Sequence, residues 1–366
     1  MRILVMTVVH HPEDARILHR QIRALVDAGH EVVYAAPFAD YAIAPRPWVT
    51  GVDLPRASGR RRIAAIRRAR SVLRELGPQV DIAVLHDPEL LLAAGVARKQ
   101  IPIVWDVHED TAVALGMKAW LPRPVRPAAR LAVQLVEAAA ERRRHLMLAE
   151  PAYAQRFRHE HPVVPNYPDV PAAVQSPAAD RVVYVGWLSE ARGALDMVAV
   201  AGLLAPHGIR VELIGPADGQ VRPIIEQAAV AGVLEWTGYL PNDEALRRVE
   251  GALAGLMLLH DEPNYRHSLP TKVVEYMARG VPVITTPLPE AVRLVETHEC
   301  GLVVPWSDPD AVAKAALTLR DDAQGRRTLG RNGHTAASER YGWPAAGRRF
   351  VAQLEAWAAV GRASAS

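Results

Sequence analysis

The sequence predicts an α/β protein built from two doubly wound domains in succession. Strand and helix patterns alternate from the first residue onward. The alternation halts in a proline-rich stretch and restarts at Arg181. The opening strand is a continuous apolar run, as a parallel strand covered on both faces requires. A length of 366 residues suits two domains of ordinary size.

The first series opens with the run from Ile3 to Val9, followed by a polar turn from His10 to Asp14. Ile17, Ile22, Leu25 and Val26 recur at helical spacing, and Gly29 ends that helix. His30 to Ala36 is the next strand, which completes a βαβ unit within about forty residues. Further strands are expected at Ile82–Leu85 and Ile103–Val107, with a helix between them ending near Arg98 and Lys99. In the second series, strands are expected over 181–186, 210–214, 234–237, 256–259 and 281–285. Helices are expected over 193–204 and 222–231. Pro162, Pro165, Pro168, Pro171 and Pro177 disfavour both helix and sheet between the two series. The expected division is an N-terminal domain 1–165, a linker 166–180, a C-terminal domain 181–345, and a tail 346–366 whose helix (Ala345–Ala358) crosses back to the first domain. Ligands are expected at the carboxyl ends of the strands, in a cleft that the two domains face.

Charge divides unevenly. Through Pro165 there are 24 Lys and Arg against 17 Asp and Glu; beyond it there are 19 against 23. The basic excess gathers at Arg60–Arg62, Arg67, Arg68, Arg70 and Arg74. This segment reads as a surface helix with an apolar stripe (Ile63, Ile66, Ala69, Val72, Leu73), or as a dock for an anionic membrane. Aromatics do not interleave with these arginines, which argues against nucleic acid. A single cysteine, Cys300, excludes a disulfide within the chain. With no apolar run of membrane-spanning length and a first run too short for a signal peptide, a cytoplasmic protein is expected; a peripheral place at the inner face of the membrane is the alternative that the basic helix leaves open.

The segment Asn264 to Thr285 carries the strongest chemical signal. A polar turn with Ser268, Leu269, Pro270 and Thr271 leads into a helix, and a helix start offers free N–H groups and partial positive charge to a phosphate. Lys272 adds a full charge there. Glu275, one turn on among Val273, Val274, Tyr276 and Met277, is a carboxylate in an apolar setting that needs a partner or a ligand, such as a ribose diol. Arg192, between Gly186 and a second helix, reads either as a solvent-exposed loop cation or as a bidentate diphosphate ligand; Lys272 and Glu275 in the same half favour the ligand. In the first half, three polar turns follow strands: His10 to Arg16 with Asp14, His86 to Glu89, and Asp106 to Asp110 with His108 and Glu109. Helix capping by Asp14 or Asp87 and a satisfied core histidine at His86 are the structural alternatives to function. For His108 a functional role is expected. These histidines and carboxylates match no zinc spacing, and no Asp-x-Asp tetrad suited to a magnesium-bound diphosphate, Walker A, dinucleotide fingerprint or nucleophile elbow is present, so no metal and no cofactor is expected.

These residues resemble the retaining glycosyltransferases of family four, whose fold is GT-B: two Rossmann-like domains. The resemblance spans nearly the whole chain. It is carried by His11 to Ile17 (His-Pro-x-Asp-x-Arg-Ile), His86–Leu90, Asp106–Glu109, Val164–Pro168 and, most specifically, Ser268–Pro282. The resemblance implies that Glu275 grips the nucleotide ribose and that Arg192 and Lys272 hold the donor diphosphate. It implies that the backbone from Ser268 to Thr271 meets phosphate or sugar oxygens, and that His108 lies near the transferred sugar. His267 stands where the family's first donor-site glutamate falls, and Trp187 stands where the wider family often has arginine. Asp14, Arg16, His86 and Glu109 are expected on the acceptor side, with acceptor contacts from loops near Pro12, Arg60 and 112–124. The implied reaction is a metal-independent transfer from a nucleoside-diphosphate sugar, UDP first and GDP next, to the hydroxyl of an unknown acceptor in bacterial glycan, glycolipid or natural-product synthesis. The leaving phosphate takes the acceptor's proton on the same face. A nucleotide-sugar 2-epimerase and an inactive nucleotide- or membrane-binding partner are the competing readings.

Overall fold

The computed structural model describes residues 1–96, 101–108, 125–262, 265–266 and 269–363. They form two compact units: Met1–Asn166 with Pro344–Ser366, and Tyr167–Trp343.

The first unit contains a six-stranded parallel sheet in the order β3-β2-β1-β4-β5-β6. Its strands are β1 (Arg2–Met6), β2 (Glu31–Ala36), β3 (Thr50–Asp53), β4 (Ile82–Leu85), β5 (Ile103–Val107) and β6 (His145–Leu148). Val5 lies opposite Tyr34 on one side and Val84 on the other, so β1 is buried centrally. The direction in which strands are added reverses between β1 and β4, the point at which a sheet of this kind leaves a crevice outside its strand ends. The helix after β1 is wound as a π-helix over Ala15–Ile22 and as an α-helix over Arg23–Asp27. The wider winding brings residues five apart to one side, so Arg16 and Gln21 both turn inward. In the helix Arg62–Leu76, Ala65, Ala69, Val72 and Leu73 face the core, but Ile63 is 62% exposed instead of joining the stripe. The expected helix end at Arg98 and Lys99 lies outside the described residues, as does the loop 112–124. The helix Trp343–Ala363 closes this unit: Glu355 pairs with His30 at 3.0 Å, and Trp357 stacks on His145 at 4.6 Å.

The second unit repeats the plan with the order β12-β11-β10-β7-β8-β9. Its strands are β7 (Arg181–Val185), β8 (Arg210–Ile214), β9 (Glu235–Trp236), β10 (Ala254–Met257), β11 (Val283–Thr285) and β12 (Gly301–Val303). The reversal falls between β7 and β10. The proline-rich stretch packs on this unit: Ala178 N–H donates to Gly251 O at 2.9 Å and Arg326 Nε to Pro177 O at 3.1 Å. Cys300 is buried, and burial pushes its thiol up to about 12. Among the described residues no helix is long and apolar enough to cross a membrane.

Candidate functional site

In the second unit the polar groups collect at the reversal point between β7 and β10. Gly186 leaves β7 with φ 135°, and a Cβ there would lie 2.6 Å from Lys272 Cε and 2.8 Å from its Nζ. Only glycine leaves room for that ammonium. The turn Glu190–Arg192 ends in Gly193, at φ 75°, where a Cβ would lie 2.3 Å from Leu258 O. Arg192 is therefore pressed against the end of β10. The helix Thr271–Ala278 starts beside it. Its first N–H groups have no acceptor within the helix, and among the described residues no side chain caps them.

Tyr276 fixes that helix. Its hydroxyl donates to Leu256 O at 3.0 Å and accepts from Val185 N–H at 3.2 Å, joining β10 to β7. Gly255 makes the space, since a Cβ would lie 2.4 Å from the ring. Lys272 is thereby held over the Tyr184 ring, 5.6 Å from its centroid. Tyr184 donates to Trp187 O at 2.7 Å and accepts from Arg192. Burial pushes the Tyr184 hydroxyl up to about 12, which keeps it a neutral donor. Burial pulls the Lys272 ammonium down to about 8; the Arg192 charge adds to this and Glu275 opposes it. For Arg192 burial also pulls downward, but Tyr184 and Tyr265 outweigh it and hold the guanidinium above its ordinary value. No ion pair to a carboxylate is found for Arg192 or Lys272 among the described residues. Glu275 is half-buried three residues beyond Lys272, and Leu269 packs against the core formed by Val273, Val274 and Met277. Arg192, Lys272, Glu275, Gly186 and Thr271 thus come together. His267 and Ser268 lie outside the described residues.

In the first unit the three polar turns meet around Asp106, which is fully buried in β5. Arg16 forks onto it, Nε to Oδ2 at 2.7 Å and a terminal nitrogen to Oδ1 at 2.6 Å; its other terminal nitrogen donates to Val164 O at 3.1 Å. Gln21 Nε2 donates to Oδ2 at 3.1 Å. His86 Nδ1 stands 3.1 Å from the same oxygen but off the line of a good hydrogen bond. Burial alone would raise the Asp106 carboxyl, yet the Arg16 charge and hydrogen bonds hold it well below the usual carboxylate range. Burial lowers His86, so this core imidazole is neutral. His108 Nδ1 faces Asp106 O at 3.1 Å, and its Nε2 lies 2.9 Å from His10 Nε2. Asp87 accepts from Thr7 Oγ1 at 2.9 Å and Val9 N–H at 3.2 Å, so it ties β1 to β4 instead of capping the next helix. Asp14 does cap, accepting from Arg16 N–H at 2.9 Å and Ile17 N–H at 3.0 Å. Arg16 and His86 form the buried floor of this cluster, His108 lies half-buried above it, and Glu109 lies outside the described residues.

Sequence reasoning did not name Gln21, Tyr184 or Tyr265 as site residues, and it weighed Asp106 and His10 only as members of their polar turns. Asp106 had a signal: a carboxylate inside an apolar strand run must find a partner. Gln21 and Tyr184 lie on elements read from their hydrophobic pattern, which conceals a buried polar tip.

His86, Asp106 and His108 place potential ligand atoms within 4.8 Å of one another. Both Asp106 oxygens already accept from Arg16, whose fixed positive charge would sit against any cation bound there. The donor set therefore fits a divalent metal poorly.

Two sequence models match in succession: Glycosyltransferase Family 4 over residues 15–170 and Glycosyl transferases group 1 over residues 179–322. The chain is 28% identical over 150 residues to the putative colanic acid biosynthesis glycosyltransferase WcaL of Escherichia coli K12, covering 39% of this chain and 37% of that protein. It thus spans about a third of the length of the first curated relatives it matches. It is 26% identical over 363 residues to the phosphatidyl-myo-inositol mannosyltransferase of Mycolicibacterium smegmatis, covering 92% and 88%. Among solved structures, sucrose-phosphate synthase from Thermosynechococcus elongatus superposes with a TM-score of 0.72 at 18% identity, over 97% of this chain and 98% of that one. HepE from Anabaena in complex with UDP-glucose gives 0.70 at 16% identity, over 97% and 100%. At these identities the structural likeness bears on the fold, and it agrees with two successive six-stranded parallel sheets. With the two models together covering both units, the chain belongs to the group 1, family 4 glycosyltransferases of GT-B fold.

Proposed function

We propose that the protein is a retaining glycosyltransferase that needs no metal and moves a sugar from a nucleoside-diphosphate donor, UDP first and GDP next, to an acceptor hydroxyl in bacterial glycan, glycolipid or natural-product synthesis. One observation carries this reading: Arg192 and Lys272 are neighbouring cations, Lys272 pulled down to about 8 by burial and by the Arg192 charge against the opposing pull of Glu275, beside a helix start that no side chain of the described residues caps. Two adjacent positive charges in a desolvated setting repel one another and favour an anion, and a diphosphate supplies one. Glu275 on the same helix takes the ribose hydroxyls. As the glycosidic bond to the donor breaks, charge grows on the departing diphosphate. Arg192, Lys272 and the helix N–H groups stabilise that charge more in the transition state than in the ground state. Fixed protein cations take the place of a bound metal in this reading. The HepE structures with UDP and UDP-glucose support the choice of donor class.

A titration of the full chain with UDP-, GDP-, ADP- and TDP-sugars tests the proposal. A UDP-sugar is expected to bind and raise the melting temperature. Lys272 is charged below about 8 and neutral above it. Donor affinity is therefore expected to fall as pH rises from 7 to 9, with proton uptake on binding in calorimetry. If all four donors leave the melting temperature unchanged, or if affinity is flat across that range, the proposed seat is wrong.

The acceptor side has a second expectation. Arg67, Arg68, Arg70 and Arg74 are exposed on the helix Arg62–Leu76, with Ile63 at its start. Each arginine near an anionic surface is worth roughly 1 kcal/mol. The protein is expected to float with phosphatidylglycerol vesicles at low salt and to be released by an Arg67→Glu/Arg70→Glu double change. Equal binding to neutral phosphatidylcholine vesicles would remove the membrane from this reading.

A further inference from the structure

We propose that His10, held by Asp87, is a positioning residue that fixes the tautomer of His108, so that Nε2 of His108 is a hydrogen-bond acceptor. His108 Nδ1 faces two acceptors among the described residues, Asp106 O at 3.1 Å and Asp106 Oδ2 at 3.5 Å. Nδ1 therefore carries the proton. Two imidazole nitrogens 2.9 Å apart share one hydrogen between them, and His10 Nε2 also lies 3.2 Å from Asp87 Oδ1. A lone pair on His10 Nε2 would face that carboxylate, so His10 Nε2 bears the hydrogen and His108 Nε2 accepts it. The assignment is the same for a neutral His10 and for an imidazolium flanked by Asp87 and by Asp14, 3.9 Å from Nδ1.

Asp87 is well placed to anchor this arrangement. It is 1% exposed, and Oδ2 takes the Thr7 hydroxyl and Val9 N–H while Oδ1 is turned to His10. If His108 meets the donor sugar, which rests on the function proposed above, it does so as an acceptor of a hydroxyl hydrogen. The sugar hydroxyl replaces the His10 N–H, and that N–H falls back wholly onto Asp87. One hydrogen bond is exchanged for another and no charge is stranded.

Imidazole 15N NMR on the histidine-labelled full chain reads the tautomer directly, with His108→Asn locating the signal among the 14 histidines. The wild type is expected to show a protonated Nδ1 and an unprotonated Nε2 at His108. His10→Phe is expected to move the proton toward Nε2, whereas His10→Gln, which keeps an N–H donor, retains the original state. In transfer assays, His10→Phe is expected to lower kcat by roughly tenfold, as the loss of one oriented hydrogen bond allows, with the donor KM little changed and His10→Gln near wild type. A wild-type His108 protonated at Nε2, or a tautomer indifferent to His10→Phe, would overturn the proposal. A correct tautomer in a protein that transfers no sugar would instead count against the proposed function alone.

Discussion

Replacing Lys272 or Arg192 by alanine is expected to lower kcat/KM for the donor by 10- to 1,000-fold. A charge-assisted hydrogen bond is worth roughly 1.5–3 kcal/mol, and a donor aimed at developing negative charge about 2.7–4 kcal/mol. Because both side chains serve one diphosphate, the double variant is expected to lose less than the two single losses combined. Lys272 also gives an unusual stability expectation. Its folded value lies near 8, below the ordinary lysine value, so at neutral pH the folded state holds an ammonium in a site that disfavours it. Lys272→Met keeps much of the volume and removes the charge. It is expected to raise the melting temperature while turnover collapses, the trade-off of a site built for a ligand. Near-native turnover in both single alanine variants would remove the donor seat from the second unit.

Asp106→Asn is expected to lower stability by about 3–5 kcal/mol, the cost of stranding the buried Arg16 charge. For a unit of this size that corresponds to a fall of roughly 6–20 °C in melting temperature. The pH dependence has a definite sign. Asp106 is held well below its unfolded value, so its contribution is present above about pH 4 and disappears as pH falls through the lower folded value. The asparagine variant is therefore expected to be less stable at pH 7 and to lose less on going to acid. Melting curves from pH 7 to pH 3 check both parts. A variant that melts with the wild type at neutral pH would show that the Arg16–Asp106 pair is not what holds the three loops.

Much of this was legible in the sequence because the buried strands are continuous apolar runs. β1, β2, β4, β7, β10 and β11 carry that signature, while β5 and β8 carry it broken by one buried carboxylate each, Asp106 and Glu212. The three strands passed over, β3, β6 and β12, are edge strands in their sheets. An edge strand has one neighbour, so its composition is free to turn polar: β3 reads Thr-Gly-Val-Asp and β12 only Gly-Leu-Val. On the donor side Lys272 was legible because a helix start, a lysine and a glutamate among apolar neighbours stand within five residues. The Asp106 cluster was legible only in part: Arg16, His86 and His108 were expected at a site, while Gln21 and the central role of Asp106 were not. Its members come from positions 16, 21, 86, 106 and 108, and one of them depends on a π-wound turn that helical spacing does not predict. Capping by Asp14, weighed as the alternative to function, is what the structure shows for that residue, although Asp87 ties two strands together instead.

The state of Cys300 has a practical consequence. Its sulfur is walled off, and at neutral pH almost none of it is thiolate, so maleimides and spin-label reagents have nothing to attack. Any cysteine introduced on the surface would be the sole reactive handle on the molecule. One probe placed on each unit would then turn the separation between them into a directly measurable distance, with and without nucleotide, against a silent background.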